Sequence, residues 1–211
     1  MYEILLYVTL AAGMLPCIIF YLKETKAKEG ASVVLPLLLL TAFASIYETL
    51  GSLVLQWDTS YWFRVYDLLE FCAIFYFFFR LMGLQWRKWL YLFPFAYVIV
   101  YMGGLLLWQQ FNELQVKALF STILIGFICT AAFIWLNIRF KNIKEVLAIS
   151  PAVLMFLAAI LLYYTSTYFL FLVSNELFTS AKEDFENYWS LNVVATLLYR
   201  ILLIIGVCLI K

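Results

Sequence analysis

Long apolar runs alternate with short polar connections from one end of the chain to the other. An α-helix rises about 1.5 Å per residue, so about 20 apolar residues cross the hydrocarbon core of a bilayer. The pattern therefore predicts an all-α, polytopic membrane protein, a seven-transmembrane-helix bundle that forms a single domain over residues 1–211. The predicted spans are Tyr2–Leu22, Val33–Leu55, Tyr61–Gly83, Trp89–Trp108, Ala118–Leu136, Val146–Leu172 and Leu191–Ile210.

The composition excludes a water-soluble protein. Hydrophobic residues make up 66% of the 211 residues, and charged residues only 13%. An ordinary soluble domain has about 25% charged residues, which cover its surface. A soluble enzyme, a nucleic-acid-binding protein and a disordered chain are therefore excluded. We expect the lipid bilayer to be the solvent and the inner membrane of a bacterium to be the location, with no direct contact to nucleic acid.

Lysine and arginine residues in the connections predict the orientation of the bundle. Ten of them fall on the first, third and fifth connections and the C-terminus, and three fall on the opposite side. Because cytoplasmic loops carry the excess of cations, we predict an N-terminus outside and a C-terminus in the cytoplasm. The cytoplasmic cations expected to face a partner protein are Lys23, Lys26, Lys28, Arg87, Lys88, Arg139, Lys141 and Lys144. Those on the outer side are Arg64, Lys117 and Lys182.

The ends of the predicted helices fit this orientation. All seven tryptophans fall near helix ends, at the headgroup level that indole rings prefer. Glu3 precedes the first run and cations follow it, which predicts an uncleaved first helix rather than a signal peptide. The longest outer connection is predicted from Phe178 to Ser190. There Ser180 and Glu183 match a capping box that would begin a short surface helix, and a plain polar connector is the alternative.

The absence of histidine excludes several classes of membrane protein. Zinc-dependent hydrolases and Ser–His proteases need that side chain, and so does a haem held by two histidines. A retinal pigment needs a lysine in the middle of the last helix, where this chain has Arg200. We expect no cofactor and no metal. The cysteines lie singly in apolar runs and are interpreted as small packing residues: Cys17, Cys72, Cys129 and Cys208.

Four ionisable residues lie inside the predicted spans: Glu48, Asp67, Glu70 and Arg200. Counted along their helices, they lie about 10–15 Å below the outer surface. A charge at the bilayer centre costs about 2.5–3.5 kcal/mol, so such residues normally face the bundle interior and meet partners there. We therefore predict a polar layer in the outer half of the bundle.

Further polar residues share the helix faces that carry these charges. In the second helix a stripe recurs at i, i+4, i+7 and i+11: Thr41, Ser45, Glu48 and Ser52. In the seventh helix Asn192 and Tyr199 share an arc with Arg200, and the sixth helix has tyrosines in its middle. The candidate ligand or ion pocket consists of Glu48, Asp67, Glu70, Arg200, Asn192, Tyr199, Tyr163 and Tyr164.

Two interpretations of this layer stay open. In the first, Arg200 pairs with Glu48 or Glu70, and the network only fixes helix packing. In the second, the layer lines an outward-open pocket or an ion path. Fully ionised, its four charged groups total −2, and we expect an unpaired carboxylate in lipid to take up a proton. That would suit proton handling or a cationic ligand, because three carboxylates exceed what one arginine needs.

Catalysis has less support in the sequence. Glu48 and Asp67 are candidates for an acid/base pair of intramembrane carboxylates, but no nucleophile motif accompanies them, so no catalytic residue is assigned. In the fourth predicted helix, Gly103–Gly104 is interpreted as a close-packing site, with a hinge as the alternative.

Three short motifs carry a resemblance to known proteins. They are Tyr47-Glu48-Thr49-Leu50-Gly51, Tyr66-Asp67-Leu68-Leu69-Glu70-Phe71 and Asn192…Tyr199-Arg200. They resemble a loose group of small seven-helix membrane proteins of Bacteroidetes-like bacteria, over most of the chain. Some of these are similar to the membrane sensor modules of histidine kinases, which implies a sensing role. Small membrane accessories of bacterial defence systems have a similar build.

The leading hypothesis is a non-enzymatic integral membrane sensor or accessory subunit. It would bind a small ligand, or respond to the membrane, at the polar layer. The chain has no kinase domain, so its output would pass to a partner protein, or within a homo-oligomer, at the basic cytoplasmic loops. The alternative is a small carrier or a proton or cation channel that uses the same carboxylates. A lipid-acting enzyme is the third hypothesis.

Overall fold

The computed structural model describes residues 2–23, 31–57, 60–83, 88, 90–106, 113–141, 150–180 and 182–210. Within these ranges all regular structure is helical and includes seven α-helices, one at each predicted apolar run. The all-α fold class is therefore confirmed for the described residues. The helices are α1 (Tyr2–Leu22), α2 (Leu35–Tyr47), α3 (Ser60–Leu81), α4 (Leu92–Leu106), α5 (Glu113–Phe140), α6 (Pro151–Ser180) and α7 (Lys182–Cys208).

Four of these helices contain a segment that is long and apolar enough to cross a membrane. The segments are Glu3–Leu22, Val116–Phe140, Pro151–Val173 and Tyr188–Cys208. Leu35–Gly51 and Leu92–Leu106 are apolar but shorter. Helix α3 has 22 residues, but its first half carries Arg64, Asp67 and Glu70. Helices of this length and composition are typical of a membrane protein.

Three helices extend beyond the predicted bounds. Helix α5 begins at Glu113, so Lys117 lies in a helix and not in a connection. Helix α6 continues to Ser180 and α7 begins at Lys182, so the predicted polar connector from Phe178 to Ser190 is wrong. The physical reason is that hydropathy marks the part of a helix that faces lipid. Backbone hydrogen bonds continue past it, and the 30 residues of α6 span about 45 Å.

Helix α2 continues as a π-helix, Glu48–Val54. The N–H of Leu55 donates to the carbonyl of Leu50 at 2.9 Å, which is the i→i−5 pattern of that helix. The segment ends where Gln56 takes a φ of 51° and the N–H of Trp57 donates to Gly51 at 2.9 Å. π-helical turns are rare and occur frequently at functional sites. Here the segment begins at the residue that carries a carboxylate.

The helices close into a ring. In chain order α1, α2, α3, α5, α6 and α7 each contact the next, and α7 returns to α1. Helix α4 packs against α3 and α5, where Phe71 stacks on Tyr97 with a ring-centroid distance of 3.9 Å. Helices α1 and α7 run parallel, because Arg200 meets Thr9 and the carbonyl of Cys208 meets Lys23 further along.

Gly104 is a close-packing site between α4 and α5. A Cβ on Gly104 would lie 2.8 Å from Cζ of Phe120 and 3.4 Å from Cγ1 of Val116. Phe120 is buried and its ring packs on Tyr97, so it has little room to move aside. A Cβ on Gly103 would meet no atom of the described residues within 4 Å. This geometry supports the packing interpretation for Gly104 and not for its neighbour.

We expect Gly104→Ala to lower the free energy of unfolding by about 1–3 kcal/mol, because the added methyl group overpacks the interface with α5. Reversible unfolding of the purified protein by SDS in mixed micelles measures the change. Gly103→Ala is the matched control, since it adds the same group to open space and removes a helical glycine, a gain of about 0.5–1 kcal/mol. An equal loss in both variants would contradict close packing and favour a hinge.

Candidate functional site

An ion pair joins α3 to α5 in the polar layer. Nζ of Lys117 contacts Oδ1 of Asp67. The side chain of Asp67 is 6% exposed and that of Lys117 is 23% exposed, so the pair is largely removed from water. The backbone of the same turn is held by α4, because the Tyr97 hydroxyl donates to the Asp67 carbonyl at 2.9 Å. Asp67 is therefore fixed by two neighbouring helices.

Aromatic rings surround the Lys117 ammonium group. Its Nζ lies 5.8 Å from the ring centroid of Tyr66 on α3 and 5.5 Å from that of Phe171 on α6. The face of an aromatic ring attracts a cation, most strongly where water is excluded. Three helices thus contribute to one ammonium site, with a carboxylate and two ring faces.

Glu70 lies next to this pair and is enclosed by tyrosines. It is 7% exposed, and the hydroxyls of Tyr66 and Tyr164 interact with its carboxylate. Tyr163 stacks on Tyr199 with centroids 4.9 Å apart, and the charge of Glu70 acts on both rings. We call Tyr66, Tyr163, Tyr164 and Tyr199 the tyrosine cluster. It joins α3, α6 and α7 around a single carboxylate.

Arg200 has a different partner from the predicted one. Its Nη1 donates to the backbone carbonyl of Thr9 on α1. Among the described residues no carboxylate oxygen lies within 4 Å of its guanidinium, so the pairing with Glu48 or Glu70 is wrong in this structure. Glu48 is half-buried and lies within range of electrostatic attraction to Arg200. The Nε of Arg200 is buried and has no hydrogen-bond partner among these residues.

Gly13 explains why Arg200 reaches the backbone of α1. A Cβ at Gly13 would lie 2.0 Å from Oγ of Ser45 and 2.9 Å from Cζ of Arg200. Only glycine leaves room for α2 and α7 to approach α1 this closely. The carbonyl of Thr9, one turn earlier, then satisfies one end of a buried guanidinium. The close packing at Gly13, together with charge, therefore brings Arg200 to the carbonyl of Thr9.

The structure brings some of the predicted pocket residues together. The hydroxyls of Tyr66 and Tyr164 interact with Glu70, and the charge of Arg200 acts on Tyr163 and Tyr199. Asn192 lies two turns before Arg200 in α7. Its carbonyl accepts from Thr196 at 2.8 Å, whereas its buried Oδ1 has no partner within the described part of the chain.

The polar stripe of α2 is buried against the same layer. Thr41 and Ser45 donate to carbonyls one turn earlier, at 2.8 and 3.0 Å. The side chain of Ser52 lies outside the described residues.

Lys117 and Tyr66 are site residues that the sequence analysis did not assign to the pocket. Lys117 was placed in an outer connection, because the apolar run after it begins at Ala118. The count of charges in the layer could have identified Lys117 as a site residue. Three carboxylates and one arginine leave two negative charges, and Lys117 is the cation next to the outer end of the fifth span. A buried layer with two negative charges in excess is stabilised by a second cation.

An apolar core packs the bundle on one side of the polar layer. Further along α3, Phe71 and Phe78 contact Phe127 of α5 with centroids 5.7 Å apart. Phe156 of α6 and Leu203 of α7 continue the same cluster, and all five side chains are at most 3% exposed. We call these five residues the inner apolar core. The polar layer therefore ends on a tightly packed apolar layer.

Four of the predicted partner-facing cations lie near one end of the bundle, at or beyond helix ends. Lys23 donates to the carbonyl of Cys208 at 2.8 Å and so caps the C-terminus of α7. Arg139 packs over the ring of Trp135 at 5.9 Å, and Lys88 and Lys141 are exposed. The others, Lys26, Lys28, Arg87 and Lys144, lie outside the described residues.

We expect Lys117→Met to lower the free energy of unfolding by about 3 kcal/mol or more, because it leaves Asp67 buried without a counter-charge. Asp67→Asn together with Lys117→Met removes both charges and should recover part of that loss. Unfolding free energies of the two single variants and the double variant give the coupling energy of the pair. Lys88→Met is the control for an exposed cation and should have little effect. Strictly additive single effects would show that the two charges do not interact.

Comparisons with known proteins give no functional information, so any functional conclusion depends on the geometry of the polar layer. The chain matches no protein-family model, no curated protein and no solved structure. The features that a function has to explain are therefore the Asp67–Lys117 pair, the enclosed Glu70, the attachment of Arg200 to α1, and the apolar core beneath them.

Proposed function

We propose that this chain is a non-enzymatic membrane sensor or accessory subunit that acts through a partner protein. In this proposal it crosses the inner membrane of a bacterium seven times, with its N-terminus outside and its C-terminus in the cytoplasm. A small ligand, or a change in the membrane, acts at the polar layer. The partner, or a second copy of the chain, receives the signal at the basic cytoplasmic end.

The single observation that carries the proposal is the convergence of helices on one buried charged cluster. Asp67 and Glu70 of α3, Lys117 of α5, Tyr164 of α6 and Tyr199 of α7 interact with one another. In a medium of low dielectric constant, a change of one charge alters every one of these interactions. A packed bundle responds to such a change by shifting whole helices. The cluster thus has the position that a sensing site needs.

The inner apolar core favours sensing over conduction. A channel needs a continuous polar path, and a carrier needs access from both sides in turn. Here the polar groups end at the layer of Phe71, Phe127 and Phe156, each at most 3% exposed. A site that opens to one side only receives a ligand but does not pass it on. This geometry supports a sensor with a closed base.

A small carrier or a proton or cation channel is the second candidate function. The buried carboxylates favour it, because intramembrane acids commonly mark ion pathways. The polar layer contains three such acids, which are Glu48, Asp67 and Glu70. Transport would require the inner apolar core to open.

We expect purified protein in liposomes to give no proton or monovalent-cation flux above that of empty liposomes, because the inner apolar core closes the path. A pH-sensitive dye and an imposed potential measure proton flux, and a potassium gradient measures cation flux. Glu70→Gln should give the same result as the original protein. Flux through the original protein that is lost in Glu70→Gln would establish transport and overturn the sensor proposal.

We expect Glu70→Gln to shift the distance between the inner ends of α5 and α7, because removing the carboxylate of Glu70 changes the attraction between the helices around it. Spin labels at Lys141→Cys and Leu209→Cys, in a chain whose native cysteines are serines, report this distance in nanodiscs. Thr165→Val is the matched control. Thr165 is exposed on α6, and its hydroxyl bonds to its own helix at 2.6 Å.

The distance measurement has two decisive outcomes. A shifted distribution in Glu70→Gln and an unchanged one in Thr165→Val would support coupling between the polar layer and the inner end. Identical distributions in the original chain and Glu70→Gln would contradict the proposal.

A further inference from the structure

The surroundings of Lys117 show which ligand chemistry the polar layer accepts. An alkylammonium group is held there by the carboxylate of Asp67 and by the ring faces of Tyr66 and Phe171. A carboxylate accepts N–H bonds, and aromatic faces stabilise the positive charge. The same combination would recognise a free alkylammonium ion. The chain's own lysine occupies the site as a tethered cation.

Glu70 provides the second half of such a site. It is 7% exposed, and no cationic nitrogen of the described residues lies within 4 Å of its carboxylate. The Lys117 ammonium also attracts this carboxylate, so both acids act on one cationic group. A free ammonium ion that takes the place of the Lys117 ammonium therefore leaves the charge of the layer unchanged.

The exposure of the pair gives the direction of approach. The Lys117 side chain is 23% exposed, whereas that of Asp67 is 6% exposed. Lys117 lies in the first turns of α5, which begins at Glu113. An incoming cation therefore meets the lysine before it reaches Asp67 or Glu70. It can take the place of the Lys117 ammonium, which lies at the end of a flexible four-carbon stem.

The groups present favour a primary ammonium ion over other cations. A primary ammonium has three N–H donors, as lysine has, for the two carboxylates and a tyrosine hydroxyl. A quaternary ammonium has no donor. A calcium ion takes 6–8 oxygen ligands, and the described residues contain no group of three or more acidic or thiol side chains placed to hold a metal.

We propose that Asp67 and Glu70, with the ring faces of Tyr66 and Phe171, form a binding site for a small primary alkylammonium ion that displaces the ammonium of Lys117. The assignment rests on the proposed sensing function and names the chemical class of its ligand. Displacement breaks the ion pair between α3 and α5. Binding is thereby converted into a change in helix packing.

The test measures thermal unfolding of the full chain in nanodiscs, followed by tryptophan fluorescence, as n-butylammonium chloride replaces sodium chloride at constant ionic strength. The original protein should show saturable stabilisation. Lys117→Ala removes the competing ammonium. If the lysine fills the site nine-tenths of the time, the apparent Kd should fall by about tenfold. Tetramethylammonium chloride should have no such effect on either protein.

Two further variants keep the test decisive. Lys117→Arg keeps a tethered cation, and the apparent Kd should stay close to that of the original protein. Asp67→Asn/Lys117→Ala lacks both the competitor and the carboxylate, and saturable stabilisation should disappear. Measurements on the original protein alone remain decisive if Lys117→Ala does not fold.

The proposal is overturned if n-butylammonium gives no saturable stabilisation of the original protein. Equal stabilisation by tetramethylammonium would also overturn it, since that ion cannot donate to the carboxylates. Failure here is distinguishable from failure of the sensing function. Ammonium binding without a shift between α5 and α7 would remove the sensing role. A shift in Glu70→Gln without ammonium binding would remove only the ligand assignment.

Discussion

The structure depends on one constraint, which is that a charge buried among apolar helices has to be met by another group. Asp67 and Lys117 meet this constraint across α3 and α5, and the backbone of α1 meets it for Arg200. An unpaired charge in such a medium costs several kcal/mol, comparable to the whole stability of many domains. Paired charges and close approach at Gly13 therefore join the helices in the half of the bundle that holds the polar layer, whereas apolar side chains pack the other half.

The two halves of the bundle therefore differ in the interactions that hold their helices together. Phe71, Phe127 and Phe156 are at most 3% exposed, so one half of the bundle is a close-packed apolar interior. In the half that holds the polar layer, an ion pair and polar contacts join the helices. Glu70 lies at the boundary, directly before Phe71 in α3, so its charge acts on the tyrosines above and its helix continues into the apolar core.

The proposed roles follow from this division. A layer that holds an ammonium group beside two carboxylates and ends on an apolar core is suited to binding a cation. Lys117 makes the site responsive, because the same lysine that stabilises the resting bundle competes with the incoming ion. A ligand changes an equilibrium only through its different affinity for two states, and displacement of a helix-linking cation supplies such a difference.

The sequence by itself determined the all-helical fold and the approximate place of each helix, since hydropathy and a rise of about 1.5 Å per residue are local properties. Only the tertiary structure decided the partners. Gly13 brought α7 close enough for Arg200 to bond to a backbone carbonyl, and the early start of α5 brought Lys117 to Asp67. Pairing across helices depends on distances of a few ångströms between segments far apart in the chain, and no local pattern encodes these distances.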